Sequence, residues 1–213
     1  MPLSIHSFEC GLVATNCYLI IDEATRVAAI VDLPNGSLPE LVEACEKERV
    51  EPSTILLTHS HWDHAADLPA ALARWSNIPV LIHPDDAYRL ADPMSHTVWP
   101  LPFTIDPVEP TGWLNDNDEI ILGETRLRIL HTPGHTEGSV SFYSEADAVA
   151  IVGDTLFAGS VGRTDLPGGS WPTLERSLHE RLLTLPDTTV VHPGHGPATS
   201  IAAERRSNPF LRV

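Results

Sequence analysis

The chain has 213 residues, 42% of them hydrophobic, and a formal net charge of −16. This length and apolar content suffice for one domain with a sizeable core, and residues 1–213 read as a single domain. The acidity argues against a nucleic-acid backbone or an anionic membrane surface as partner.

The three cysteines, Cys10, Cys17 and Cys45, are an odd number and lack C-x-x-C spacing. They read as buried free thiols, with neither a disulfide framework nor a thiolate metal site. No apolar run approaches the roughly 20 residues of a membrane span. The N-terminus carries no basic segment followed by a long apolar run. The expectation is a soluble cytoplasmic protein, a monomer or a small homo-oligomer.

In chain order, residues 3–8 and 16–21 read as strands, with Gly11 marking the bend between them. Val27 to Val31 is a short buried-strand run ending at Asp32. After a Pro34-Asn35-Gly36 turn, Ser37 and Glu40 form a capping-box pattern, and apolar residues keep helical spacing to about Arg49. Thr54 to Leu57 is the next strand. Asp67 is expected to cap a helix through Leu68, Ala71, Leu72 and Trp75. Val80–Ile82 reads as a strand and Pro84–Leu90 as a short helix. Residues 92–118 form a long irregular stretch carrying Trp99, Phe103 and Trp113, which points to an ordered binding loop. The second half begins again with strands at 119–122, 125–130, 139–143 and 148–152. A helix follows at 174–185, then a strand at 189–191 and a final helix near 202–206. Strands followed by helices occur twice, which predicts two β-rich layers with helices packed outside them.

Four segments carry the chemistry. Thr58-His59-Ser60-His61-Trp62-Asp63-His64 follows the apolar run Ile55-Leu56-Leu57. An H-x-H-x-D-H pattern arises by chance in such a chain with odds on the order of one in five hundred. His131-Thr132-Pro133-Gly134-His135-Thr136, Gly153-Asp154-Thr155-Leu156-Phe157 and Pro193-Gly194-His195-Gly196-Pro197 each also follow a strand. Strand ends of a layered sheet can meet at one edge, so metal-capable side chains far apart in sequence can converge there. Neutral imidazole and carboxylate suit zinc, iron or manganese, and no cysteine lies near the motifs to favour a soft metal.

In this order the four segments resemble the metallo-β-lactamase superfamily, and within it the small single-domain glyoxalase II-like hydrolases. The stretch Phe157–Asp165 and the stretch Glu204–Phe210 are similar to that subgroup as well. The resemblance spans nearly the whole chain. It implies an α+β fold, a four-layer αββα sandwich with the metals at one sheet edge. It implies two divalent metal ions, zinc foremost, with iron or manganese as alternatives. His59, His61 and His135 would bind the first, Asp63, His64 and His195 the second, and Asp154 would bridge both. Asp32 resembles the family aspartate that orients a ligating histidine. His131 could act in the same way. His6, His83, His96 and His179 read as surface or structural residues, and His192 as a strand-end residue. Trp62 either lines the cleft mouth or packs beneath its loop.

The implied activity is thioester hydrolysis of the hydroxyacylglutathione type, with Asp63 and Asp154 as catalytic carboxylates and a small-molecule S-acylglutathione-like thioester as substrate. The chain departs from classical glyoxalase II in lacking its helical C-terminal domain. It also has Asp165 where the longer enzyme typically has a tyrosine two places after a basic residue. Arg163 is the candidate for a substrate carboxylate, with an ion pair to Asp165 as the competing reading. The alternatives on the same fold are a single-iron persulfide dioxygenase, using His59, His135 and Asp154, and a lactonase or β-lactamase.

Overall fold

The computed structural model describes residues 3–211. The first sheet contains β1 (Leu3–Cys10), β2 (Thr15–Asp22), β3 (Ala28–Val31), β4 (Pro52–Leu56), β5 (Val80–Ile82) and β6 (Gly112–Trp113), ordered as in the sequence. Its first three strands are antiparallel, and β3 to β6 are parallel. The second sheet contains β7 (Glu119–Leu122), β8 (Thr125–His131), β9 (Val140–Ser144), β10 (Val149–Gly153), β13 (Val190–Pro193) and β14 (Thr199–Ser200), with β13 between β10 and β14. Only its β10–β13 pair is parallel. A separate hairpin, β11 (Leu156–Phe157) with β12 (Ser160–Val161), follows β10.

Six helices complete the fold: α1 (Leu38–Glu48), α2 (Trp62–Ala65), α3 (Leu68–Arg74), α4 (Ala87–Ala91), α5 (Trp171–Ser177) and α6 (Ile201–Ser207). The layers follow from strand periodicity. Every residue of β2 is buried, and successive side chains enter different cores. Cys17, Leu19 and Ile21 pack with Leu41 of α1 and Ala71 of α3. Tyr18 and Ile20 pack between the sheets against Leu127, Ile129 and Phe142. A third cluster joins Leu130, Tyr143 and Val152 to Leu174, Leu178, Leu182 and Ile201. Three apolar layers between four layers of structure make the αββα sandwich that the motif resemblance implies.

Several local expectations are corrected. Ser37 stands before α1 with helical dihedrals (φ −78°, ψ −26°) and makes no capping bond. An N-cap side chain reaches its target from an extended backbone, which Ser37 does not have. Asp67 takes that role from a distance, its carboxylate accepting the Leu38 N–H at 3.1 Å. It makes no cap bond to α3, the helix it directly precedes. The helix expected through residue 185 stops being α-helical at Ser177 and continues as a π-turn over Leu178–Leu182. The Leu183 N–H reaches back five residues to the Leu178 carbonyl at 2.8 Å. Leu178, Leu182 and Leu185 all remain buried against the second sheet through this wider turn. Cys17 and Cys45 are buried thiols, whereas Cys10 is half-exposed near the end of β1. Among the described residues, no helix is long and apolar enough to cross a membrane.

Phe142 is the largest fully buried side chain and fills the layer between the sheets. Phe142→Ala should lower unfolding stability by about 3–5 kcal/mol, read as a lower midpoint in urea with little change in slope.

Candidate metal centre

Parallel strands deliver their carboxyl ends to one edge of a sheet, and ligands gather there. In the first sheet, Asp32 follows β3 and His59 follows β4. In the second, Asp154 follows β10 and His195 follows β13. His61 stands at the start of α2, whose single turn presents Asp63 and His64. His135 comes from the loop between β8 and β9. All seven residues expected as ligands meet at this edge. Their donor atoms fall into three overlapping groups, each within 4.8 Å: His59, His61 and His135; His59, His64 and Asp154; Asp63, His64 and His195.

Hydrogen bonds decide which ring nitrogens face inward. The Thr58 hydroxyl donates to Asp32 Oδ2 at 2.8 Å, which leaves its oxygen to accept from His59 Nδ1 at 3.1 Å. His64 Nδ1 donates to the same Asp32 oxygen at 2.8 Å. His135 Nδ1 donates to the Arg163 carbonyl at 2.7 Å, and His195 Nδ1 to the Val13 carbonyl at 3.2 Å. In each of these four rings Nδ1 is engaged, so Nε2 is the nitrogen directed inward. His61 differs, presenting Nδ1 at 2.8 Å from His135 Nε2. Asp32 itself has φ +61°, a left-handed conformation that aspartate tolerates better than most residues. This turns its carboxylate toward both Thr58 and His64.

The charges fit bound cations. Burial, then the His64 and His135 rings, holds His59 well below the usual histidine range. Burial, then His135, lowers His61 to about 3. Burial works the same way on His64 and is outweighed by Asp63, Asp154 and Asp32, which hold it well above that range. His195 is raised to about 10 by Asp154 and Asp63 against its burial. Asp63 is lowered to about 2 because His64 and His195 outweigh its burial. His59 and His61, held neutral, thus share one space with carboxylates that draw protons onto His64 and His195. His59 Nε2 is buried there without a hydrogen-bond partner, and His64 Nε2 and Asp154 Oδ1, also buried and without a well-formed hydrogen bond, face each other at 3.4 Å. Buried polar atoms without partners are costly, and divalent cations are the partners this donor set suits.

Close packing supports the cluster. A Cβ added to Gly194 would lie 2.1 Å from Asp154 Oδ1 and 2.7 Å from His64 Cε1. Glycine is therefore required beside His195. The β1–β2 hairpin clamps the same loop. Asn16 Nδ2 donates to the Pro193 and Gly196 carbonyls at 2.9 and 2.8 Å, and the Tyr18 hydroxyl donates to Pro193 at 2.6 Å. The Thr15 hydroxyl donates to Asp63 Oδ2 at 2.9 Å. Sequence reading missed these three residues. Their only signal was membership of an ordinary strand.

The cluster floors a cavity of about 240 Å³. Trp62, Val98 and Trp99 form part of its wall, and Val13 and His195 another part. Trp62 therefore lines the cleft, with Phe103 6.3 Å away behind it. His96, expected as a surface or structural residue, also lines the cleft. Of the two sequence readings of Arg163, the ion pair with Asp165 is formed. The residue faces the cavity and lies 5.2 Å from the Trp99 ring, and its Nε and Nη2 each donate to Asp165 at 2.8 Å. His131 stands apart from the seven. It bonds the Glu137 carbonyl at 2.9 Å and stacks on His83 at 4.1 Å with planes 8° from parallel. In-plane lone pairs of two stacked rings do not meet at one ion.

The metallo-beta-lactamase superfamily profile matches residues 10–195. An uncharacterized Mycobacterium leprae protein is 42% identical, covering 97% of this chain and 98% of its own length. The hydroxyacylglutathione hydrolase GloC of Haemophilus influenzae is 38% identical over 92% of each chain. The crystal structure of BLEG-1 B3 metallo-beta-lactamase superposes with TM-score 0.90 at 36% identity, over 99% of this chain and 100% of that one. TTHA1623, solved in a di-iron-bound form, gives TM-score 0.85 at 36% identity, over 97% and 100%. The chain belongs to the metallo-beta-lactamase superfamily. Within it, the chain is a metallo-hydrolase, and its His/Asp clusters are of the kind with which that superfamily binds divalent metals.

Asp32 touches His64 directly and His59 through Thr58. Asp32→Asn should weaken metal binding about 10- to 100-fold, measured by competition with a chromophoric chelator.

Proposed function

We propose that the protein is a binuclear thioester hydrolase of the glyoxalase II type, acting on S-acylglutathione-like substrates. The observation that carries this reading is the convergence of seven donor side chains around His59 Nε2, His64 Nε2 and Asp154 Oδ1, which are buried without a well-formed hydrogen bond. His59, His61 and His135 would hold one divalent ion and Asp63, His64 and His195 the other, with Asp154 between them. Zinc, iron and manganese all suit this donor set, and the di-iron-bound relative is a precedent for iron. Two such ions supply Lewis acidity and bring the ionisation of water toward neutral pH.

The chain's own residues supply position and proton handling. Asp63, held by Thr15, is ionised and lines the cleft, where its carboxylate can accept a hydrogen bond from an entering water and orient it. Trp62, Val98 and Trp99 give the acyl and thiol parts of a substrate an apolar wall that excludes bulk water. In hydrolysis the water oxygen joins the carbonyl carbon and the C–S bond breaks. A thiol pKa near 8.5 lets the sulfur depart as the anion, so the reaction does not depend on a strong acid in the cleft. The similarity to GloC supports the thioester class. A persulfide dioxygenase with one iron would employ His59, His135 and Asp154. It would leave unused the Asp32–His64 bond and the Thr15–Asp63 bond, which together order the second group of ligands.

The purified protein should carry about two equivalents of divalent metal and hydrolyse S-lactoylglutathione, with turnover falling to background in His59→Ala. Less than one equivalent of metal, or no turnover above that variant, would overturn the proposal. Oxygen uptake with glutathione persulfide and hydrolysis of nitrocefin test the dioxygenase and β-lactamase readings in the same preparation.

A further inference from the structure

One buried carboxylate outside the ligand set ties together the two loops that carry His61 and His135. Asp86 lies in the short 3-10 turn between β5 and α4 and is fully buried. Its Oδ2 accepts the Ser60 N–H at 2.9 Å, the Ser60 hydroxyl at 3.0 Å and the Thr136 hydroxyl at 2.9 Å. Its Oδ1 accepts the Gly138 N–H at 2.8 Å and Arg89 Nη1 at 3.1 Å. Ser60 stands between His59 and His61, and Thr136 follows His135. These hydrogen bonds therefore fix backbone directly next to all three members of the His59, His61, His135 group.

Fit and charge show how tightly the connection is made. A Cβ added to Gly138 would lie 2.8 Å from both the Asp86 Cβ and its backbone nitrogen, so the loop approaches as closely as glycine allows. Arg89, also buried, balances the charge of Asp86. Its Nη2 continues to Glu137 at 2.6 Å and to the Pro167 carbonyl at 3.0 Å. A buried carboxylate that accepts five hydrogen bonds is expensive to disturb, because losing it leaves buried donors without partners. Asp86 touches no histidine ring itself; its bonds fix the residues beside the rings, one step further out than a bond made to the ring.

We propose that Asp86 is a positioning residue for the first metal. It acts through Ser60 and Thr136 on His61 and His135, and it makes no contact with the Asp63, His64, His195 group. Asp32 behaves differently, since its bonds reach ligands of both groups. The two buried aspartates thus divide the work. Asp32 orients the centre as a whole, and Asp86 determines the mutual aim of His61 and His135, whose facing nitrogens lie 2.8 Å apart. This inference rests on the binuclear metal reading above.

The test is a stepwise cobalt titration of the full-length protein, read by visible absorption and by chelator competition, with His61→Ala and His195→Ala assigning the two steps. Asp86→Asn puts an amide N–H₂ where a carboxylate oxygen accepts. Affinity at the first step should fall about 10- to 100-fold, and the absorption of that step should change, while the second step moves less than about three-fold. Asp32→Asn should weaken both steps. Ser60→Ala combined with Thr136→Val keeps the Asp86–Arg89 pair and removes only the hydroxyl links. It should reproduce the selective loss in smaller degree, and it provides the test if Asp86→Asn does not fold. Equal losses at both steps, or unchanged first-step affinity in the double variant, would overturn the positioning role. Failure of the wild-type protein to bind two cobalt ions would instead overturn the metal reading itself.

Discussion

The His/Asp cluster at the sheet edge is costly to assemble. His59 Nε2, His64 Nε2 and Asp154 Oδ1 are buried without a well-formed hydrogen bond. Lone pairs and negative charge are aimed at one space, where in the absence of a cation they repel or must hold protons. A chain left to minimise its own energy would rotate these side chains away from one another. Five of the seven are held from behind. Asp32 and Thr58 hold two rings, backbone carbonyls hold His135 and His195, and Thr15 holds Asp63.

The sandwich makes this possible. A sheet buried on both faces is a rigid platform, and the parallel strands of each sheet end at the same edge. Loops leaving those ends are short and are fixed by close contacts such as Gly194 against His64 and Asp154. Strain is confined to a few positions, including the left-handed Asp32. A catalytic constellation placed on such ends keeps its geometry without a dedicated domain.

The cleft above the cluster is less constrained. Its walls come from the 92–118 stretch and from the Arg163–Pro167 segment, both poor in regular structure. Val98 and Trp99 remain largely exposed there. The guanidinium of Arg163 is already engaged by Asp165, a carboxylate that would also repel an anionic group approaching it. Chemistry and substrate choice are therefore carried by different parts of the molecule. Strand ends and the turns after them carry the candidate ligands, and loops shape the cleft above them.

Much of this was legible in the residues themselves. β-rich composition after the Gly11 bend located β2, and the apolar runs located β3, β4 and β10, because burial on both faces leaves a continuous apolar signal. The four motifs named all seven candidate ligands that the structure brings to the edge. Local chemistry was read less well. The capping box at Ser37 was a sound pattern overridden by Asp67, which reaches α1 from 29 residues away. The π-turn after Ser177 has no periodic signature of its own. Asn16 and Tyr18 looked like ordinary strand residues, Thr15 like the residue before that strand and Asp86 like part of a short helix, since their roles depend on hydrogen bonds across 26 to 180 residues of sequence. By itself the sequence determined two strand-rich halves with helices outside them, because periodicity is a local property, and its motifs, through their resemblance to the superfamily, pointed to the αββα sandwich and the candidate donor set. Only the tertiary structure decided which nitrogen of each ring faces inward, which aspartate holds which loop, and how Arg163 is paired. Those outcomes depend on distances between segments that no local pattern encodes.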